Sequence, residues 1–152
     1  MSLWIARLTS VPGVSSPDCL VDTSALSRIG HHESVRKVLD PLLTEGRLAC
    51  CSLTWLEMGL TARDANEHDS LGAALTALPR VEITEADFTR AWEVQGLLAS
   101  RGHHRGIALP DLILASCAER LGMTVIHCDG DFDDISKVTG QQTRWAVDRH
   151  LL

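Results

Sequence analysis

Short apolar runs alternate along the chain with longer stretches in which apolar residues recur every three or four positions. Cys19-Leu20-Val21 is the first run. It stops at Asp22-Thr23-Ser24, a polar triplet suited to the end of a buried parallel strand that enters a helix cap. Residues 24–29 predict a short helical piece. Over residues 33–43, Val35, Val38, Leu39, Leu42 and Leu43 form a stripe of 3.6-residue period, and Gly46 is placed to stop that helix. Residues 47–53 read as a second buried strand. Thr54 then reads as the cap of a helix carrying Trp55, Leu56, Glu57, Met58 and Leu60. Leu71, Ala74, Leu75 and Leu78 predict a helix over 66–78 that Pro79 ends.

The second half repeats the alternation. Val81-Glu82-Ile83 predicts a brief strand, and Thr84 with Asp87 resembles a capping box opening a helix that runs to about Ser100. Residues 101–106 form a polar loop. Pro110 fits the first position of a helix that reaches Leu121, with Gly122 as its stop. Residues 123–127 are the clearest strand, 129–134 an acidic loop entering a short helical turn, and 143–147 a last weak strand. Strands alternating with helices predict an α/β fold: three α/β/α layers around a central parallel sheet of four or five strands.

The chain has 152 residues, the size of one domain. The expected boundaries are a leader over 1–17, rich in Pro, Gly and Ser, and a domain over 18–152. Hydrophobic residues make up 45% and charged residues 22%, which excludes a disordered chain. No apolar run approaches the roughly 18–20 residues of a membrane span, and residues 1–17 lack the charged, apolar and small-residue blocks of a signal peptide. The five cysteines are odd in number and show no zinc spacing, so they are expected to be buried free thiols in a reducing cytoplasm. Fourteen basic residues against twenty acidic ones give a formal charge of −6, which by itself argues against a nucleic-acid binder with a basic surface.

The position of the acids changes that picture. Asp22 ends the first strand. Glu57 and Asp111 each lie near the start of a predicted helix, and Asp129 and Asp131 follow the 123–127 strand. In a parallel sheet, ligands bind outside the carboxyl ends of the strands, so all five acids are expected at one edge. Each acid alone suits a helix cap, a turn or a dipole partner. Gathered together they repel one another, and such clusters hold divalent cations. Oxygen ligands favour Mg²⁺ or Mn²⁺.

Four segments carry a family resemblance. They are Val21-Asp22-Thr23-Ser24-Ala25-Leu26, Ser52-Leu53-Thr54-Trp55-Leu56-Glu57-Met58, Leu109-Pro110-Asp111-Leu112-Ile113-Leu114-Ala115, and Val125-Ile126-His127-Cys128-Asp129-Gly130-Asp131-Phe132. In this order and spacing they resemble the motifs of PIN-domain ribonucleases, and the chain's size resembles that of the VapC toxins of bacterial VapBC modules. The resemblance implies an endoribonuclease dependent on Mg²⁺ or Mn²⁺. It also implies an RNA substrate, commonly tRNA or rRNA, a homodimer, and neutralisation by a VapB antitoxin. It assigns Asp22, Asp111 and Asp129 as metal ligands and Glu57 as the residue that positions or activates the attacking water. Either acid of the Asp129–Asp131 pair is able to face the metal. An inactive PIN-like module that only binds RNA or a protein is the alternative, which the intact acid set opposes.

Three further readings complete the set. Ser24 reads as a cap and supporting donor to the acidic site. Arg105, in the His103-His104-Arg105 loop before the third motif, is the candidate contact to RNA phosphate, against the plainer reading of a solvated loop. His127 reads as a satisfied core histidine. Without the five acids the formal charge of −6 would be −1, so the acidic excess belongs mainly to one expected cation site.

Overall fold

The structure, a computed structural model, describes residues 16–151. Most of the expected 1–17 leader therefore lies outside the described residues. Five strands form one parallel sheet in the order β3-β2-β1-β4-β5. They are β1 (Cys19–Val21), β2 (Leu48–Cys51), β3 (Arg80–Val81), β4 (Thr124–His127) and β5 (Thr143–Trp145). The helices are α1 (Thr23–Leu26), α2 (Glu33–Thr44), α3 (Ser52–Leu60), α4 (Ala65–Leu75), α5 (Glu85–Ala99), α6 (Leu109–Leu121) and α7 (Asp131–Thr139). A 3₁₀ turn, His104–Gly106, precedes α6, and another, Arg149–Leu151, ends the described chain.

Side-chain alternation along the strands explains the layers. Cys19 and Val21 face one way with Leu48 and Cys50, into a core completed by α1, α2, α3 and α4. Leu20, Ala49, Cys51 and Val125 face the other way, against α5, α6 and α7. Both faces of the sheet are covered, so β1 and β2 are apolar throughout rather than alternating with polar residues. All five cysteines are free and buried, as expected. Among the described residues no helix is long and apolar enough to cross a membrane.

Several boundaries differ from expectation. The second strand ends at Cys51 and the following helix already begins at Ser52. Thr54 is thus inside α3 rather than at its cap; it is fully buried, and its hydroxyl donates to the Val21 carbonyl at 3.2 Å. The acidic loop after β4 gives way to a nine-residue helix, α7, rather than a short turn. Gly122 ends α6 with φ of 66°, in the left-handed region where a side chain is strained.

The capping box at Thr84 forms: the Asp87 carboxylate accepts the Thr84 N–H at 2.8 Å. The same carboxylate, 1% exposed, accepts both Arg120 Nε at 2.7 Å and Nη2 at 2.9 Å, tying α5 to the C-terminal end of α6. Burial pushes the Asp87 carboxyl up, but this fork and the Thr84 N–H together outweigh it and hold the group below the usual carboxylate range. Asp87→Ala removes at once a cap and the carboxylate partner of Arg120, whose Nη2 keeps its bond to the Glu82 carbonyl at 2.8 Å. We expect a loss of about 3 kcal/mol, read as a thermal midpoint roughly 6–12 °C lower. A midpoint unchanged in Asp87→Ala would show that the fork contributes nothing.

Candidate active site

Strand order places the site. The chain builds β1, β2 and β3 outward in one direction, then returns to lay β4 on the opposite flank of β1. The crevice at this reversal, beyond the carboxyl ends of β1 and β4, is where open parallel sheets bind ligands. Asp22 stands at the end of β1, and its N–H donates to the Ile126 carbonyl at 2.9 Å, which carries the β1–β4 pairing up to the acid. Asp129 and Asp131 follow β4. Asp111 lies in the first turn of α6, whose N-terminus opens onto the same crevice.

Each acid is held locally. Asp22 caps α1, with Oδ2 accepting the Ser24 N–H at 2.9 Å. The cap and the cluster are therefore roles of one residue, not competing readings. Glu57 Oε2 accepts the Thr23 hydroxyl at 2.7 Å, which links α3 to α1. The loop carrying Asp129 into Asp131, the first residue of α7, is laid down by side chains where strand pairing has ended. Ser24 Oγ accepts the Cys128 N–H at 2.9 Å, and Asp129 Oδ1 accepts the Asp131 N–H at 3.0 Å. Asp131 Oδ2 in turn accepts the N–H of Ala108, the N-cap of α6, at 3.3 Å.

Carboxylate oxygens of Asp111, Asp129 and Asp131 lie within 4.8 Å of one another. This tight group contains Asp131 and not Asp22. A hard cation with oxygen ligands near 2.1 Å spans about 4.2 Å between opposite oxygens, so three carboxylates at this spacing fit one with little movement. Burial, and then the charges of Asp22, Asp129, Asp131 and Glu57, push the Asp111 carboxyl up to about 8. Burial also raises Asp22, and the Glu57 charge adds to it against the opposing Ser24 bonds. Asp131 is raised by burial and by Asp129, against the Ala108 N–H. The crowded acids are thus short of positive charge, the condition that favours cation uptake.

The predicted site residues meet as follows. Asp22, Glu57, Asp129 and Asp131 all lie close enough for their charges to raise the Asp111 carboxyl. Ser24 sits between the β1 and β4 ends and bonds to both segments. Arg105 is exposed on the 3₁₀ turn three residues before Ala108, the N-cap of α6. Thr23, which anchors Glu57, is a site residue that no motif role in the sequence marks. Its position next to Asp22 was the available signal.

The chain matches the PIN domain family over residues 19–138. It is 42% identical over 129 residues to Ribonuclease VapC21 of Mycobacterium tuberculosis, covering 84% of this chain and 93% of that protein. Ribonuclease VapC51 of the same organism is 41% identical over 128 residues, covering 84% and 92%. Among solved structures, the DNA-bound VapBC of Salmonella typhimurium superposes with a TM-score of 0.68 at 15% identity, covering 86% of this chain and 99% of that one. A toxin–antitoxin complex from Klebsiella pneumoniae gives 0.68 at 17% identity, covering 86% and 98%. At these identities the structural likeness establishes the fold. Together with the sequence relatives, the α/β/α layers and the convergent acids, it leads to one conclusion: this chain belongs to the PIN-domain family, among the VapC ribonucleases.

Proposed function

We propose that the chain is an endoribonuclease toxin that hydrolyses RNA phosphodiester bonds at the acidic crevice and is neutralised by a VapB-type antitoxin. The observation that carries this reading is the convergence of five acids on the β1–β4 switch point, three of them with oxygens within 4.8 Å. We place the catalytic unit at 18–152. Asp111 and Asp129, with Asp131 beside them and Asp22 at the end of β1, would hold Mg²⁺ or Mn²⁺. When bound, the cation offsets charge on the scissile phosphate and on the leaving oxygen.

The chain's own groups supply the remaining chemistry. Glu57, fixed through the Thr23 hydroxyl, orients a water against phosphorus and takes its proton as the water oxygen bonds to phosphorus. The bond from phosphorus to the leaving ribose oxygen breaks, and that oxygen takes up a proton from solvent. Arg105 has no carboxylate partner among the described residues, in contrast to Arg47, Arg63, Arg90 and Arg120. It is free to meet a neighbouring RNA phosphate.

Partner surfaces fit the same reading. Leu56 and Leu60 are 71% and 86% exposed on one face of α3, beside Glu57. An antitoxin covering them would also close the site. Phe88, Trp92 and Leu109 form a second exposed apolar surface on α5 and α6, suited to a homodimer contact. The test is induced expression in a bacterial host followed by sequencing of RNA 5′ ends. New, discrete ends in tRNA or rRNA that disappear on co-expression of the antitoxin are expected. An RNA-end profile identical to that of uninduced cells would overturn the proposal.

A further inference from the structure

We propose that His127 is a positioning residue for Asp129, acting through the acceptor nitrogen of its ring. His127 is fully buried at the end of β4. Its Nδ1 accepts the Asp129 N–H at 3.2 Å, closing a turn from residue i to i+2 of the kind that Asn, Asp and Ser side chains make. Asp129 then repeats the device on Asp131, whose N–H it accepts at 3.0 Å. The two turns in series set the direction of Asp129 and of Asp131, the first residue of α7. An accepting Nδ1 places the ring proton of neutral His127 on Nε2.

The ring is itself immobilised. It lies between Phe132, with centroids 5.0 Å apart, and Trp145, with centroids 4.9 Å apart, and both rings are tilted to it. Trp145 is held by its Nε1–H donating to Asp133 at 3.0 Å. The aromatic packing therefore fixes the imidazole, the imidazole fixes the Asp129 amide, and the amide fixes a carboxylate of the tight acidic group. Groups that orient the ligands of a cation typically change its affinity by 10–100-fold when removed.

The consequence for cation binding rests on the cation reading above, and the experiment separates the two. His127→Phe keeps an aromatic ring between Phe132 and Trp145 but removes the acceptor. His127→Asn keeps an acceptor, with Oδ1 near the place of Nδ1, but removes the ring. Expected for His127→Phe is faster hydrogen exchange at the Asp129 amide in the metal-free protein and Mn²⁺ affinity weaker by roughly 10-fold in calorimetry. Expected for His127→Asn is a lower thermal midpoint with Asp129 protection and Mn²⁺ affinity close to wild type. In the wild-type protein, imidazole ¹⁵N shifts should place the proton on Nε2.

A proton found on Nδ1, or a His127→Phe protein with wild-type protection at Asp129 and wild-type Mn²⁺ affinity, would overturn the proposal. If wild type takes up no Mn²⁺, the cation reading fails, and amide exchange still decides the role of His127. If His127→Phe does not fold, the wild-type tautomer and His127→Asn decide it.

Discussion

Asp111→Asn should abolish RNA cleavage, by at least about 10³-fold in kcat/KM, and at the same time make the metal-free protein more stable at pH 8. The two effects share one cause. Asp111 is 7% exposed and faces four other carboxylates, so its ionised form is the least tolerated charge in the crevice. Asparagine retains the shape and the hydrogen-bonding capacity while removing the charge that a cation would need. The stability gain is expected at about 1–3 kcal/mol, seen as a higher urea midpoint for the variant than for wild type in chelator. Cleavage retained in Asp111→Asn would remove this residue from the site. An unchanged or lower midpoint at pH 8 would show that the crowding has no energetic consequence.

The second large effect is a pH dependence opposite to the usual acid unfolding. In the metal-free protein Asp111 titrates near 8 when folded, against the ordinary 3.8 when unfolded. Between those values the folded state binds more protons than the unfolded one, so stability is greatest at the low end and is lost as pH rises towards 8. Asp22 and Asp131 are shifted in the same direction and add to the trend. Asp18, Glu67 and Asp87 are shifted downward, so their contribution is lost only as pH falls below the ordinary carboxylate range. The thermal midpoint in chelator should therefore fall between pH 5 and pH 8.5. Asp111→Asn should flatten that slope, and Mn²⁺ should raise the midpoint more at pH 8 than at pH 5. A midpoint that rises steadily with pH in the stripped wild type would contradict the assigned shifts.

How much of this was legible in the sequence follows from the range of each signal. Local periodicity identified the layers because the inner strands are buried on both sides and α2 carries one clear apolar stripe. The acids were assigned to one edge because an acid at a strand's carboxyl end has nowhere else to go in a parallel sheet. What was missed depends on contacts distant in the chain or on weak starts. No side-chain cap marks the beginning of α3 at Ser52, so Thr54 resembled the cap while its hydroxyl was in fact directed to Val21, 33 residues away. The Asp87–Arg120 fork also spans 33 residues, and nothing in the Thr84-to-Asp87 pattern signals it. Asp131 in the tight group, with Asp22 outside it, is set by the bond from Ala108 across 23 residues, a geometry that the Asp129-Gly130-Asp131 spacing leaves open.

The role we propose for these acids is a divalent-cation site for RNA hydrolysis. Its most direct test is a calorimetric titration of chelator-stripped wild-type protein with Mn²⁺, with RNA cleavage assayed on the same samples. The predicted result is a saturable isotherm, with cleavage absent before addition and appearing in proportion to the occupied sites. Full cleavage by the stripped protein, or saturation with no cleavage of any RNA that the induced protein cuts in cells, would contradict it.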